Sequence, residues 1–196
     1  DNIPQDPLNP LTGAKVEVGK LIYHDPAFAT EGIALRAKTW SCASCHHARA
    51  GFKSGMIQGI GEGGEGFGLK GETRGWFDPE IGTQDADVQP VTSPTILNVA
   101  FQDVMLWNGQ LGNASNGIIN VGIDPEILMT EGTPKVANAE GLSGIETQAI
   151  AGTGVHRILG FPPELEDSDY YQMLLDAFPE YSRDELHKSS TRAIAA

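Results

Sequence analysis

Cys42-Ala43-Ser44-Cys45-His46 constrains this chain more than any other stretch. It reads C-x-x-C-H, the attachment signature of a c-type haem. Two thiols two residues apart on one helical turn can add to the two vinyl groups of one porphyrin. The histidine that follows then points a ring nitrogen at the iron from the proximal side. A fold carrying this motif must wrap a large flat group, so the haem becomes part of the core.

Other readings of the two cysteines fail on what they lack. A zinc knuckle needs two further ligands at a second paired spacing, and none is present. A thioredoxin-type redox pair needs a βαβ setting, which is absent. A disulfide across two residues is awkward and leaves the histidine unexplained. No other cysteine exists to compete for either thiol. His47 is expected at the surface or beside a haem propionate.

The 196 residues suffice for one substantial domain. A formal charge of −13 argues against nucleic acid and against an electrostatic hold on anionic lipid. It is compatible with a basic redox partner and with ordinary solubility. No run of about 18 apolar residues is present, so no membrane span is expected. Covalent haem attachment takes place outside the bacterial cytoplasm. Together with a start at Asp1, it predicts a secreted or periplasmic protein whose leader has been removed.

Periodicity predicts an all-α, cytochrome c-like haem domain of short helices and long loops, with little or no sheet. Residues 1–12 form a surface arm. Residues 15–24 form a helix with Val18, Leu21 and Ile22 on one face, ending before Asp25-Pro26. The haem motif sits on a short helix at about 41–48, and another follows Pro94 over 95–100. Residues 50–93 and 109–142 read as loop. Residues 145–159 and 169–178 read as helices; in the second, Tyr170, Met173, Leu174 and Ala177 share a face and Pro179 ends it. Ser182-Arg183-Asp184-Glu185 is a capping box opening a helix that meets no stop signal before Ala196, as in a longer protein. The domain reading is therefore an arm over 1–12 and a haem domain over 13–181. Residues 182–196 then begin a helix leading to a further domain.

Several residues compete for roles around the haem. Gly61-Glu62-Gly63-Gly64-Glu65-Gly66 matches G-x-G-x-x-G, but lacks the strand before and the helix after that a dinucleotide site requires. It reads as a flexible loop, or as one whose backbone passes close to the haem face. Met105 is a candidate sixth ligand, with Met56, Met129 and Met173 as alternatives; each also suits core filling. His156 is a candidate distal base, with Glu146, Gln148 and Arg157 nearby, and Glu62 is a second candidate. Trp107 suits either a core position or an electron relay.

These segments, in this order, resemble the N-terminal half of the bacterial di-haem cytochrome c peroxidase family. Val18-Gly19-Lys20-Leu21-Ile22-Tyr23-His24-Asp25-Pro26 resembles the family's L-G-x-x-L-F-x-D-P. Ser41 to His46 and Gly51-Phe52 follow. Ser93-Pro94-Thr95-Ile96-Leu97-Asn98 matches S-P-T-x-x-N, and Leu106-Trp107-Asn108-Gly109 is similar to F-W-D-G. Gln148-Ala149 is similar to a later Q-A, and residues 193–196 to the start of the family's final helix.

The resemblance implies a peroxidatic haem held by Cys42 and Cys45, with His46 as proximal ligand. Trp107 would be the electron relay, and Gln148 would line the distal pocket. His156 lies close to the place of the family's distal glutamate. A second haem would be expected in a C-terminal part. It would receive electrons from a small periplasmic donor, a cytochrome c or a cupredoxin, and hydrogen peroxide would be the substrate. A homodimer and an interdomain calcium also come with the resemblance, although Thr92 stands where the calcium-binding asparagine often lies. The loop histidine that ligates the resting iron in many members is replaced by Glu62, which implies a permanently open iron. The 107–148 segment is longer than is usual. Two alternatives stand beside a peroxidase. One is a di-haem oxidase that modifies a tryptophan of a partner protein, like the enzyme that matures methylamine dehydrogenase. The other is a mono-haem electron-transfer cytochrome.

Overall fold

The computed structural model describes residues 3–5, 9–30, 37–55, 91–102, 104–106, 111–112, 144–158, 165, 167–182 and 185–196. Among them run the helices α1 (Gly13–His24), α2 (Gly144–Val155), α3 (Asp169–Ala177) and α4 (Leu186–Ala195). Single 3-10 turns occupy Pro26–Phe28, Cys42–Ser44, Ala48–Ala50 and Val99–Phe101. Two short strands, β1 (Val104–Met105) and β2 (Leu111–Gly112), pair antiparallel, with Val104 opposite Gly112 and Met105 opposite Leu111. The domain is helical with a minimal ladder. That ladder places a strand at 111–112, inside the 109–142 stretch expected to be loop.

Helix α1 begins two residues before the expected start, because Thr12 caps it. The Thr12 hydroxyl accepts the Lys15 N–H at 3.2 Å. The helix ends at Asp25, whose carboxylate accepts the Ala27 N–H at 2.8 Å and so opens the next turn, with Pro26 in its first position. Val18 and Ile22 are buried, whereas Leu21 is 38% exposed. Only two of the three expected apolar residues therefore face the core.

Helix α1 packs against α3 and α4, and α2 against α4. The main core joins Val18, Ile22, Phe28, Trp40, Leu174 and Phe178 with smaller neighbours. On α3, Leu174 and Ala177 are buried while Tyr170 and Met173 pack half-buried against this core, as the spacing predicts. Gly19 lets α1 approach α4 at backbone distance, since a Cβ there would overlap the Ala193 carbonyl. On α4, Leu186 and Ala193 are buried in this same core, with Ile194 packed against it. The Glu185 carboxylate reaches back to the Ser182 N–H at 3.1 Å, as the capping-box spacing requires, and α4 starts immediately after.

A buried polar seam crosses this core. Lys15 Nζ donates to Asn9 Oδ1 at 2.8 Å and lies 4.6 Å from the centre of the Phe178 ring. The Asn9 amide in turn donates to Glu146, which also receives Arg192. The N-terminal arm is therefore not confined to the surface: residues 3–5 are exposed, but Asn9 is buried. The burial is tolerable because Lys15, Asn9, Arg192 and Glu146 Oε1 exchange hydrogen bonds in place of those to solvent.

Two further segments depart from expectation. The 41–48 stretch is two tight turns rather than one helix. His47 adopts an extended conformation and donates its N–H to the Lys53 carbonyl at 2.9 Å, which interrupts the helical hydrogen bonding. Its side chain is buried, which removes the surface position, one of the two places expected for it. In 95–100, the Thr95 hydroxyl accepts the Leu97 N–H at 3.1 Å, and Asn98 is left-handed at φ 62°. A side-chain turn thus replaces the first helical turn. Only Val99–Phe101 closes a 3-10 turn.

Candidate functional site

A cavity of about 370 Å³ lies between the C-x-x-C-H segment, the 93–106 strip, α2 and the end of α4. Its size falls within the range of roughly 300–1,000 Å³ common to small-molecule and cofactor sites. Cys42, Cys45 and His46 form one part of its wall. Ile145, Gln148, Ala149, Gly152 and Thr153 of α2 line the cavity, as does His156 immediately after its last residue. Their spacing of three and four places them on one helical face. Gln148 and His156 were singled out in the sequence one at a time. The full stripe could have been found there by helical periodicity. A Cβ added at Gly152 meets nothing, so glycine keeps this wall low at mid-helix.

Neither cysteine is in a disulfide. Cys42 is half-buried at the cavity wall, and burial pushes its thiol up to about 11. His46 Nδ1 lies 3.1 Å from the Phe52 carbonyl. Burial lowers the His46 pKa, with the Phe52 and Pro94 carbonyls opposing the shift and the nearby His156 adding to it. A neutral ring that donates from Nδ1 to Phe52 keeps its lone pair on Nε2, the arrangement of a metal-ligating histidine. Phe52 holds its carbonyl there from a left-handed conformation at φ 58°.

Two aromatic residues missed by the sequence reading hold this wall. Tyr23, on α1, donates its hydroxyl to the His46 carbonyl at 3.1 Å. Burial raises the Tyr23 phenol above its ordinary range, and the Cys42 and Cys45 thiols push it the same way. Trp40 Nε1 donates to the His156 carbonyl at 2.9 Å. That bond marks the end of α2, where Arg157 is left-handed at φ 55° and the Ile158 N–H returns to Thr153 at 2.9 Å. The helix therefore stops short of the expected 159.

Met105 is buried in the cavity wall beside Val99 and Ile145, whereas Met173 packs against the main core. Thr92 lies exposed on the 91–102 strip. Among the described residues, no group of three or more His, Cys, Asp or Glu converges to hold a metal ion. Trp107, Glu62, the glycine-rich 61–66 loop, Met56 and Met129 lie outside the described residues.

The family model of the di-haem cytochrome c peroxidases matches residues 13–196. The chain belongs to that family. Within it, the chain is 26% identical over 110 residues to the methylamine utilization protein MauG of Methylorubrum extorquens. The match covers 56% of this chain and 23% of that protein. Membership of the di-haem family implies haem c, and the cavity fits one. Two thiols outside any disulfide and an imidazole held at Nδ1 by Phe52 share one wall. The helix face carrying Gly152, Gln148 and His156 completes the enclosure. No described helix is long and apolar enough to cross a membrane.

Proposed function

We propose that this chain is the peroxidatic half of a periplasmic c-type haem peroxidase. It reduces hydrogen peroxide to water with electrons from a small redox protein, delivered through a second haem. The observation that carries this reading is that His46 and His156 line the same cavity as Cys42 and Cys45.

The residues divide the work as follows. Cys42 and Cys45 would attach the haem, and His46, held at Nδ1 by the Phe52 carbonyl, would ligate its iron through Nε2. When bound, the haem supplies the iron that takes up peroxide and the electrons that cleave it. His156 accepts a proton from one peroxide oxygen and returns it to the departing one. Gln148 stands eight residues from His156, about 12 Å along the helix axis at ~1.5 Å per residue. The two side chains therefore reach different parts of the bound group, and Gln148 orients rather than shares the proton. Ile145, Val99 and Met105 keep the pocket apolar. Glu62 is the alternative acid–base group, by its place in the loop sequence. Trp107 is the entry point for electrons, by the resemblance of residues 106–109 to the family's tryptophan stretch. A calcium bound between domains belongs to the same reading, with Thr92 as a poor ligand.

A second reading is favoured by the similarity to a methylamine utilization protein. In it, the same haem pair oxidises a tryptophan of a partner protein. One experiment separates the two: peroxide-dependent oxidation of a reduced small cytochrome by the full-length holo-protein, with the haem spectrum followed throughout. Rapid donor turnover supports the peroxidase. Slow turnover with a long-lived oxidised spectrum supports the partner-modifying oxidase. No peroxide consumption overturns both and leaves an electron-transfer cytochrome, with Met105 the leading candidate for its sixth ligand.

A further inference from the structure

The two histidines of the cavity are each held through the main chain by an aromatic donor. Tyr23 holds the His46 carbonyl and Trp40 holds that of His156. The second bond joins residues 116 apart in sequence, at a functionally sensitive place. His156 follows the last residue of α2, and the carbonyls of a final helical turn lack partners within the helix. Trp40 supplies one. Its side chain is fully buried, and it stands two residues before Cys42.

We propose that Trp40 is a positioning residue that sets where the His156 imidazole stands over the haem. The proposal rests on the reading of His156 as the distal acid–base group. The geometric argument is one of a short reference path. The haem would be attached at Cys42, Ser41 and Trp40 precede it in the chain, and one hydrogen bond from Trp40 then reaches His156. Distal residue and haem are thus registered to each other through two residues and one bond. Without that bond, their spacing would depend on the packing of α2 against α4. The left-handed Arg157 and the Thr153–Ile158 bond fix the direction of the helix end. The Trp40 indole fixes its height above the attachment segment.

The test is the C–O stretching frequency of the ferrous carbon monoxide complex of the full-length holo-protein, which reports polar groups over the iron. Four proteins are compared: wild type, His156→Gln, Trp40→Phe, and one with Trp40 replaced by β-(3-benzothienyl)alanine. The last keeps the shape of indole but carries sulfur in place of N–H, so it removes the donor even where phenylalanine impairs folding. Covalent haem content serves as the folding check. The expected result is that the isostere moves the band toward the His156→Gln value. Combining both changes should add nothing further. The rate of reaction with peroxide should fall on the order of tenfold to a hundredfold, as for a modest misplacement of a reacting group. A band that moves in His156→Gln but not in the isostere overturns the positioning role and leaves the distal reading intact. A band unmoved in His156→Gln shows that His156 is not over the ligand, and overturns both.

Discussion

Arg192 Nε lies 3.0 Å from Glu146 Oε1, and both side chains are nearly inaccessible to solvent. The pair ties α4 to the first turn of α2, the helix that lines the cavity. Burial alone would lower the Arg192 pKa, but hydrogen bonds to Tyr181 and Glu146 outweigh it and raise it. Removing one member strands the other charge in the interior. Glu146→Ala should therefore destabilise the holo-protein by about 3–5 kcal/mol in urea unfolding. The double variant Glu146→Leu with Arg192→Met should lose clearly less than either single change. If it lost the sum of both, the pair would not be acting as a buried ion pair.

Gly19→Ala provides a test by its sign. In an open helix the change would stabilise by up to about 1 kcal/mol. Here the new methyl overlaps the Ala193 carbonyl of the opposing backbone, which cannot swing aside. The variant should lose stability by about 1–3 kcal/mol or more. Thermal melts of the two proteins side by side suffice, and a gain in stability would show that α1 and α4 do not approach this closely.

The Cys42 thiol allows a pH experiment on protein produced without haem. Burial holds its pKa at about 11, above its usual value of 9.0. The folded state thus keeps its proton where the unfolded chain loses it. Its contribution to stability is whole below pH 9 and fades as pH rises toward 11. Alkylation of Cys42 should be slow at neutral pH and accelerate across the same window. In protein with haem attached as proposed, both sulfurs would be thioethers, and neither should react even after unfolding.

Tyr23→Phe removes the hydroxyl that holds the His46 carbonyl. A net loss of about 0.5–1.5 kcal/mol is expected at neutral pH. Because burial raises the Tyr23 phenol, the folded state resists its ionisation, and stability falls as pH climbs past its ordinary value of 10.0. The phenylalanine variant should therefore show a shallower alkaline decline than wild type. Equal slopes in stability-versus-pH curves would exclude a buried phenol at this position.

What was readable in the sequence was carried by neighbours. Cys42, Cys45 and His46 lie within one turn, so their shared cavity wall follows from spacing alone. The amphipathic face of α3 and the Ser182–Glu185 contact are likewise short-range patterns. Errors arose where a local alternative outcompeted the periodicity. The Thr95 hydroxyl captured the backbone of its own turn, and the His47 N–H paired with Lys53. Asn9 looked like part of a polar arm because nothing nearby announces Glu146 as its partner, 137 residues away.

The haem motif, the helical character of the chain and its family could thus be reached from residue order, because covalent spacing and helical period are properties of short segments. The tertiary structure alone decided which carbonyl Trp40 would reach, that Glu146 would meet Arg192, and that Gly19 would lie against Ala193. Each of these depends on two distant segments arriving at one point, and close packing and the need to satisfy buried polar groups then select the contact.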